Sequence, residues 1–170
     1  MPETLRIRRL VHEDAGIFCR LRCEGFASEP ASFRYSAADE QHLPLDYTQQ
    51  RLAETHVLGA FRGDELVGIS GYARLSGCKL RHKGLIWGMY VRASERGQGI
   101  ARELLLQLIE RAAQEVSLLQ LTVVANNTAA LRLYQSLGFR SYGREPRSIR
   151  EAVHLSWTEE AGVTKLKHDG

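Results

Sequence analysis

The polarity pattern opens on Thr4-Leu5-Arg6-Ile7-Arg8-Arg9-Leu10, where apolar and charged side chains alternate with the two-residue period of a half-buried strand. His12-Glu13-Asp14 then brings acids suited to a helix start. Ala15, Ile17, Phe18, Leu21, Arg22 and Phe26 recur at mostly helical spacing until Pro30 closes the element. Residues 28–44 are polar and irregular, with Phe33 and Tyr35 embedded, and a second short helix is expected over about residues 37–53.

Residues 56–61 and 66–75 are strand-like runs joined by Arg62-Gly63-Asp64-Glu65. Gly and Asp tolerate tight-turn angles, so the pair reads as an antiparallel hairpin. A polar, basic loop over 76–83 leads to a third central strand over 84–91, in which Gly88 signals a bulge or a close backbone approach. Ile100, Leu104, Leu105, Leu108, Ile109, Ala112 and Ala113 mark one face of a long helix. A strand follows over 118–125. Asn126-Asn127-Thr128 opens another helix, with Ala130, Leu133, Tyr134 and Leu137 on one face; either asparagine suits the N-cap and Gly138 the C-terminal end. Residues 139–142 and 152–157 read as two last strands.

This order predicts an α/β (α+β) fold: one mixed, mostly antiparallel sheet of about seven strands flanked by about four helices. Residues 85–124 make a strand–helix–strand unit suited to a right-handed crossover between parallel strands. A single domain is expected over 1–157, followed by a polar, frayed tail over 158–170. The net charge of +3 makes no case for a nucleic-acid partner. No apolar run approaches the ~18 residues of a membrane span, and Arg6, Arg8 and Arg9 interrupt any signal-peptide pattern. Cys19 and Cys23, four apart, read as small buried hydrophobes, because no nearby Cys/His set completes a metal site; no metal is expected. With Cys78 they make an odd count that suits a reducing, cytoplasmic compartment.

Candidate chemistry centres on the link between the third central strand and the long helix. Arg96-Gly97-Gln98-Gly99 places a glycine-punctuated turn where a helix begins, and the first N–H groups of a helix have no intrahelical acceptor. Those donors, with the helix dipole behind them, suit a phosphate. A dinucleotide-binding oxidoreductase does not fit, because the full Gly-x-Gly-x-x-Gly spacing is absent and the turn follows several strands.

Two motifs extend this reading. Arg96-Gly97-Gln98-Gly99-Ile100-Ala101 resembles the Arg/Gln-x-x-Gly-x-Gly/Ala turn of the GNAT acyltransferase superfamily. Asn127-Thr128-Ala129-Ala130-Leu131-Arg132-Leu133-Tyr134-Gln135-Ser136-Leu137-Gly138-Phe139 resembles its Asn-x-x-Ala-x-x-x-Tyr-x-x-x-Gly-Phe signature. The resemblance covers roughly residues 4–157 and implies a splayed parallel strand pair, acetyl-CoA as cosubstrate and transfer of the acetyl group to a primary amine. It implies that backbone amides around Arg96, Gly97, Gln98, Gly99, Ile100, Ala101 and Arg102 hold the pyrophosphate. The strand edge Met89-Tyr90-Val91 would pair with the pantetheine arm, and a backbone N–H near Met89 or Tyr90 would polarise the acetyl oxygen. Asn127 would hydrogen-bond the pantetheine, cap its helix, or both. Tyr134 would be the general acid that protonates the leaving thiolate.

The general base is open. Some relatives, ribosomal-protein N-terminal acetyltransferases among them, carry Glu five residues before the motif Asn, where this chain has Thr122. That departure weighs against an N-terminal protein acceptor and leaves a water relay or His82 as routes for the proton. Acceptor specificity is expected from residues 23–47, where Glu24, Glu29, Asp39 and Glu40 would welcome an amine and Phe26, Phe33, Tyr35 and Tyr72 would form an apolar wall. A small metabolite, an antibiotic, a polyamine and a peptide or lysine amine all remain candidates. Oligomeric state is open, although members of the family often form homodimers. The alternative function is a catalytically silent acyl-CoA-binding sensor.

Overall fold

The computed structural model describes residues 3–30, 37–146 and 152–159. In chain order the elements are β1 (Leu5–Arg9), α1 (Ala15–Ser28), α2 (Ala37–Gln41), α3 (Leu45–Glu54), β2 (His56–Arg62), β3 (Glu65–Arg74), β4 (Lys83–Val91), α4 (Ile100–Ala112), β5 (Leu118–Val124), α5 (Thr128–Ser136), β6 (Arg140–Glu145) and β7 (Ala152–Thr158). The seven strands form one mixed sheet in the order β1-β2-β3-β4-β5-β7-β6. The single helix expected over 37–53 is two. Pro44 has no N–H to donate and disfavours helical geometry at the residue before it, so α2 stops short and α3 starts afresh from Pro44 at its N-cap.

The chain divides into two compact units. The first holds Met1–Ala73 and Trp87–Leu108. Here β1 pairs antiparallel with β2 and β2 with β3, in register from His56↔Tyr72 to Arg62↔Glu65 with one bulge. The alternation read in β1 and the stripe read in α1 bury Leu10, Phe18, Leu21, Leu52, Phe61 and Ile69 in one cluster, with Trp87 edge-on to Phe18. The Arg8 guanidinium grips Asp14 through two bonds of 2.8 and 2.9 Å, while the Val11 N–H donates to the same carboxylate at 2.8 Å, closing the entry to α1.

The second unit holds Arg74–Ile86 and Ile109–Gly170. Its parallel ladder joins Lys83–Leu85 of β4 to Leu118–Gln120 of β5. β5 continues antiparallel to β7 along its whole length, with Thr122 opposite His154, and β7 pairs with β6. Leu119, Leu121, Leu137, Phe139, Leu155 and Trp157 are buried there. β7 runs through Thr158, and residues 160–170 of the expected tail lie outside the described residues. No described helix is long and apolar enough to cross a membrane.

Candidate functional site

In the first unit, β4 delivers Met89-Tyr90-Val91 to a short 3-10 turn over Ala93–Glu95, and the glycine turn follows. Gly97 and Gly99 have φ of +75° and +80°, angles that L side chains rarely adopt, and an added Cβ at either would meet no heavy atom within 4 Å. The glycines are therefore required by backbone angle, and the space above them is open. The first backbone bond into α4 runs from the Glu103 N–H to the Gly99 carbonyl at 3.0 Å. The N–H groups of Ile100 and Ala101 ahead of it lie at the helix start with no intrahelical acceptor. Ile100, Leu104, Leu105 and Leu108 are at most 1% exposed and anchor the helix whose start carries these donors. Open space, glycine backbone and a helix N-terminus together fit a diphosphate.

The arginines around this turn are engaged. Arg96 donates from Nε to the Val91 carbonyl at 2.9 Å, bridges to Glu29 and lies over the Tyr90 ring. Arg92 binds Glu24 at 2.8 Å and also Glu65, and the hydrogen bonds to Glu24 hold its guanidinium more firmly charged than usual. Arg62 binds Glu95 at 3.0 Å and also Gln98. The Tyr90 hydroxyl sits 3.2 Å from the Ser28 hydroxyl.

The acids expected to welcome an amine are answered differently. Glu24 and Glu29 pair with Arg92 and Arg96, and Glu40 pairs with Arg22 at 2.6 Å. Their charge is spent on arginines that the local pattern does not connect to them. Phe26 and Tyr72 are buried, while Phe33 and Tyr35 lie outside the described residues. Cys19 and Cys23 are free, half-buried thiols, and no cluster of three metal-binding side chains occurs among the described residues.

In the second unit, Asn127 is the N-cap of α5, and its Oδ1 accepts the Ala130 N–H at 3.2 Å. The helix ends at Gly138, with φ +101°, where the Phe139 N–H returns to the Tyr134 carbonyl. Tyr134 is 6% exposed and packs edge-on against Phe139 at 5.8 Å. No described residue hydrogen-bonds its hydroxyl, and burial pushes its pKa up to about 12 from the ordinary 10.0. The phenol, protonated at neutral pH in any case, holds its proton further into the alkaline range.

His82 is exposed, in a groove of about 370 Å³ shared with Arg81, Gln114 and Glu159. Sequence reasoning passed over another histidine. His154 on β7 places Nδ1 3.1 Å from the Thr122 hydroxyl, with Nε2 3.5 Å from Glu145 Oε2 and its ring against Tyr142. With the proton on Nε2, Nδ1 accepts from Thr122. The signal was the pairing of β5 with β7, which no local pattern in either strand reveals.

Comparison with known proteins gives a consistent result. A sequence profile of the acetyltransferase (GNAT) family matches residues 23–139. The N-alpha-acetyltransferase RimI of Mycobacterium tuberculosis is 30% identical over 152 residues, 87% of this chain and 86% of that protein. An acetyltransferase of the GNAT family from Streptococcus pneumoniae superposes with a TM-score of 0.80 at 22% identity, over 91% of this chain and 99% of that one. A structure from Salmonella typhimurium that holds its cofactor acetyl-CoA superposes with a TM-score of 0.78 at 18% identity, over 92% and 94%.

Proposed function

The chain belongs to the acetyltransferase (GNAT) family, and on that premise we propose that it moves an acetyl group from acetyl-CoA to a primary amine by direct transfer. The observation that carries the reading is the turn, where Gly97 and Gly99 hold positive φ under open space at the start of α4. In this reading the amides from Arg96 to Arg102 hold the pyrophosphate, glycine allowing close approach. The edge of Met89, Tyr90 and Val91 orients the pantetheine, with an N–H there polarising the acetyl oxygen. Asn127 adds a further polar contact beside its capping role. Bound acetyl-CoA supplies the activated thioester.

Two proton movements remain for side chains. The leaving thiolate needs a proton, and Tyr134, a phenol and so protonated at neutral pH, holds one. The attacking amine must lose one. Thr122 carries no base, but it hydrogen-bonds one: His154, backed by Glu145, takes the role proposed for the missing carboxylate. The likeness to an N-alpha-acetyltransferase keeps a protein α-amine among the acceptors, against the weight that Thr122 alone carried.

A thermal-shift titration with acetyl-CoA tests the donor half. A ligand at about 100 times its Kd stabilises the native state by about 2.7 kcal/mol, so a clear rise in melting temperature is expected. No shift at saturation would overturn the reading. An amine-panel screen read by mass tests the acceptor half, and bound acetyl-CoA with silence across the panel would favour the sensor.

A further inference from the structure

Arg22 lies on the buried stripe of α1, and its side chain is 4% exposed. Its Nη2 donates to Glu40 at 2.6 Å, but Nε and Nη1 are buried with no hydrogen-bond partner among the described residues. Three of the five guanidinium N–H groups sit on those two atoms. A buried donor left unmade is costly, and native structures leave few of them without a reason.

The surroundings do not supply that reason. The guanidinium carbon lies 5.5 Å from the Phe18 ring, 5.1 Å from Phe26 and 5.7 Å from Trp87. Ring faces attract the charge but offer no lone pair to the N–H groups. Glu40 is shared as well, since Arg51 Nη1 lies 3.9 Å from the same carboxylate oxygen. The backbone of β4 lies beside Nη1. Gly88 has φ +67°, and an added Cβ there would stand 3.0 Å from Arg22 Nη1. The missing side chain is thus what lets the guanidinium pack close against the strand. Met89 and Tyr90, the next two residues, are the edge assigned above to the acetyl group.

We propose that Arg22 binds a carboxylate on the acceptor, so that the acceptor is a small amine bearing a carboxylate, as in an α-amino acid. The inference rests on the acetyl-transfer reading. A guanidinium prefers a planar carboxylate over other partners of this size, and the aromatic walls shield the pair from water, which strengthens it. With its carboxylate at Arg22, the acceptor's amine stands a few bonds away, toward Met89 and Tyr90. Arg22 is then a binding residue for the acceptor and takes no proton in the reaction.

The test uses the full chain and matched compounds: the common L-amino acids, their carboxamides, and short peptides whose N-terminal residue is the same. Acetylation is read by mass, and binding by calorimetry on protein saturated with CoA. The expected result is acetylation of one or more free amino acids with kcat/KM about 10- to 100-fold above the amide. Arg22→Gln should raise KM for the acid and abolish that preference, while the melting-temperature rise with acetyl-CoA persists. Arg22→Lys should restore part of the preference. Equal rates for acid and amide, a preference for peptides, or a preference untouched by Arg22→Gln would overturn the inference and leave acetyl transfer standing. Amino acids that bind through Arg22 but are never acetylated would support the carboxylate site and overturn the transfer reading. Neither binding nor acetylation of any carboxylate-bearing amine overturns the inference. The comparison of acid with amide on the unaltered protein holds even if a variant fails to fold.

Discussion

Tyr134→Phe removes one oxygen from a side chain that is 6% exposed and keeps the ring against Phe139 at 5.8 Å. No described residue hydrogen-bonds that oxygen, so stability at pH 7 should change by less than about 1 kcal/mol. The two proteins should part at alkaline pH. Burial raises the Tyr134 pKa from 10.0 to about 12, so the native state holds the proton where the unfolded chain releases it. The stability from this group is complete below pH 10 and is lost as pH rises toward 12. At about 1.36 kcal/mol per pH unit, the loss reaches about 1.4 kcal/mol at pH 11 and about 2.7 kcal/mol when complete. Urea denaturation of both proteins from pH 8 to 11 measures it, because every other titrating group cancels in the difference. The variant should gain on the parent as pH rises. Superimposable curves would refute the burial argument. Turnover is the second readout: loss of a positioned general acid lowers kcat by about 10²- to 10⁴-fold, with the acetyl-CoA-induced thermal shift intact. Unchanged turnover would remove Tyr134 from the chemistry even if the stability curves behave.

Other outcomes follow from the same structure. Gly99→Ala forces a side chain onto φ +80°, costing about 1–2 kcal/mol, and should weaken acetyl-CoA in the thermal-shift titration. Asp14→Ala breaks both bonds from Arg8 and the bond from the Val11 N–H, and should cost about 1–3 kcal/mol at pH 7 by chemical denaturation. The hydrogen bonds from Arg8 hold the Asp14 carboxyl below its ordinary 3.8, so the parent should lose this advantage as pH falls from about 4 through that lowered value; a constant difference down to pH 2 would refute it. His154→Gln should lower kcat while acetyl-CoA binding persists, and unchanged turnover would return the proton route to water or His82.

Local pattern was enough for the strands, the hairpin at Gly63-Asp64 and both ends of α5, because each depends on residues close together in the chain. The stripe over α1 even included Arg22 among its apolar members, and the structure buries it there. What the pattern could not carry was pairing at long range. It offered Glu24, Glu29, Asp39 and Glu40 as charge an amine would welcome without seeing the arginines paired with Glu24, Glu29 and Glu40, because those partners stand far off in the chain or, for Arg22, lay hidden in an apolar stripe. It passed over His154 because only the register of β5 with β7 sets that ring beside Thr122. It ran one helix through Pro44, past the restriction that proline imposes on its neighbour.

The arginines beside the glycine turn have a consequence for ionic strength. Arg62, Arg92 and Arg96 are matched by Glu24, Glu29, Glu65 and Glu95, three positive charges against four negative. A diphosphate approaching this turn meets no excess of positive side-chain charge from this set. In the proposed reading, what draws it in is the row of amide dipoles at contact range, where mobile ions do not intervene. Affinity for acetyl-CoA should therefore change little between dilute buffer and 0.5 M salt. The usual steering of an anion from afar is exchanged here for a grip that begins only on arrival.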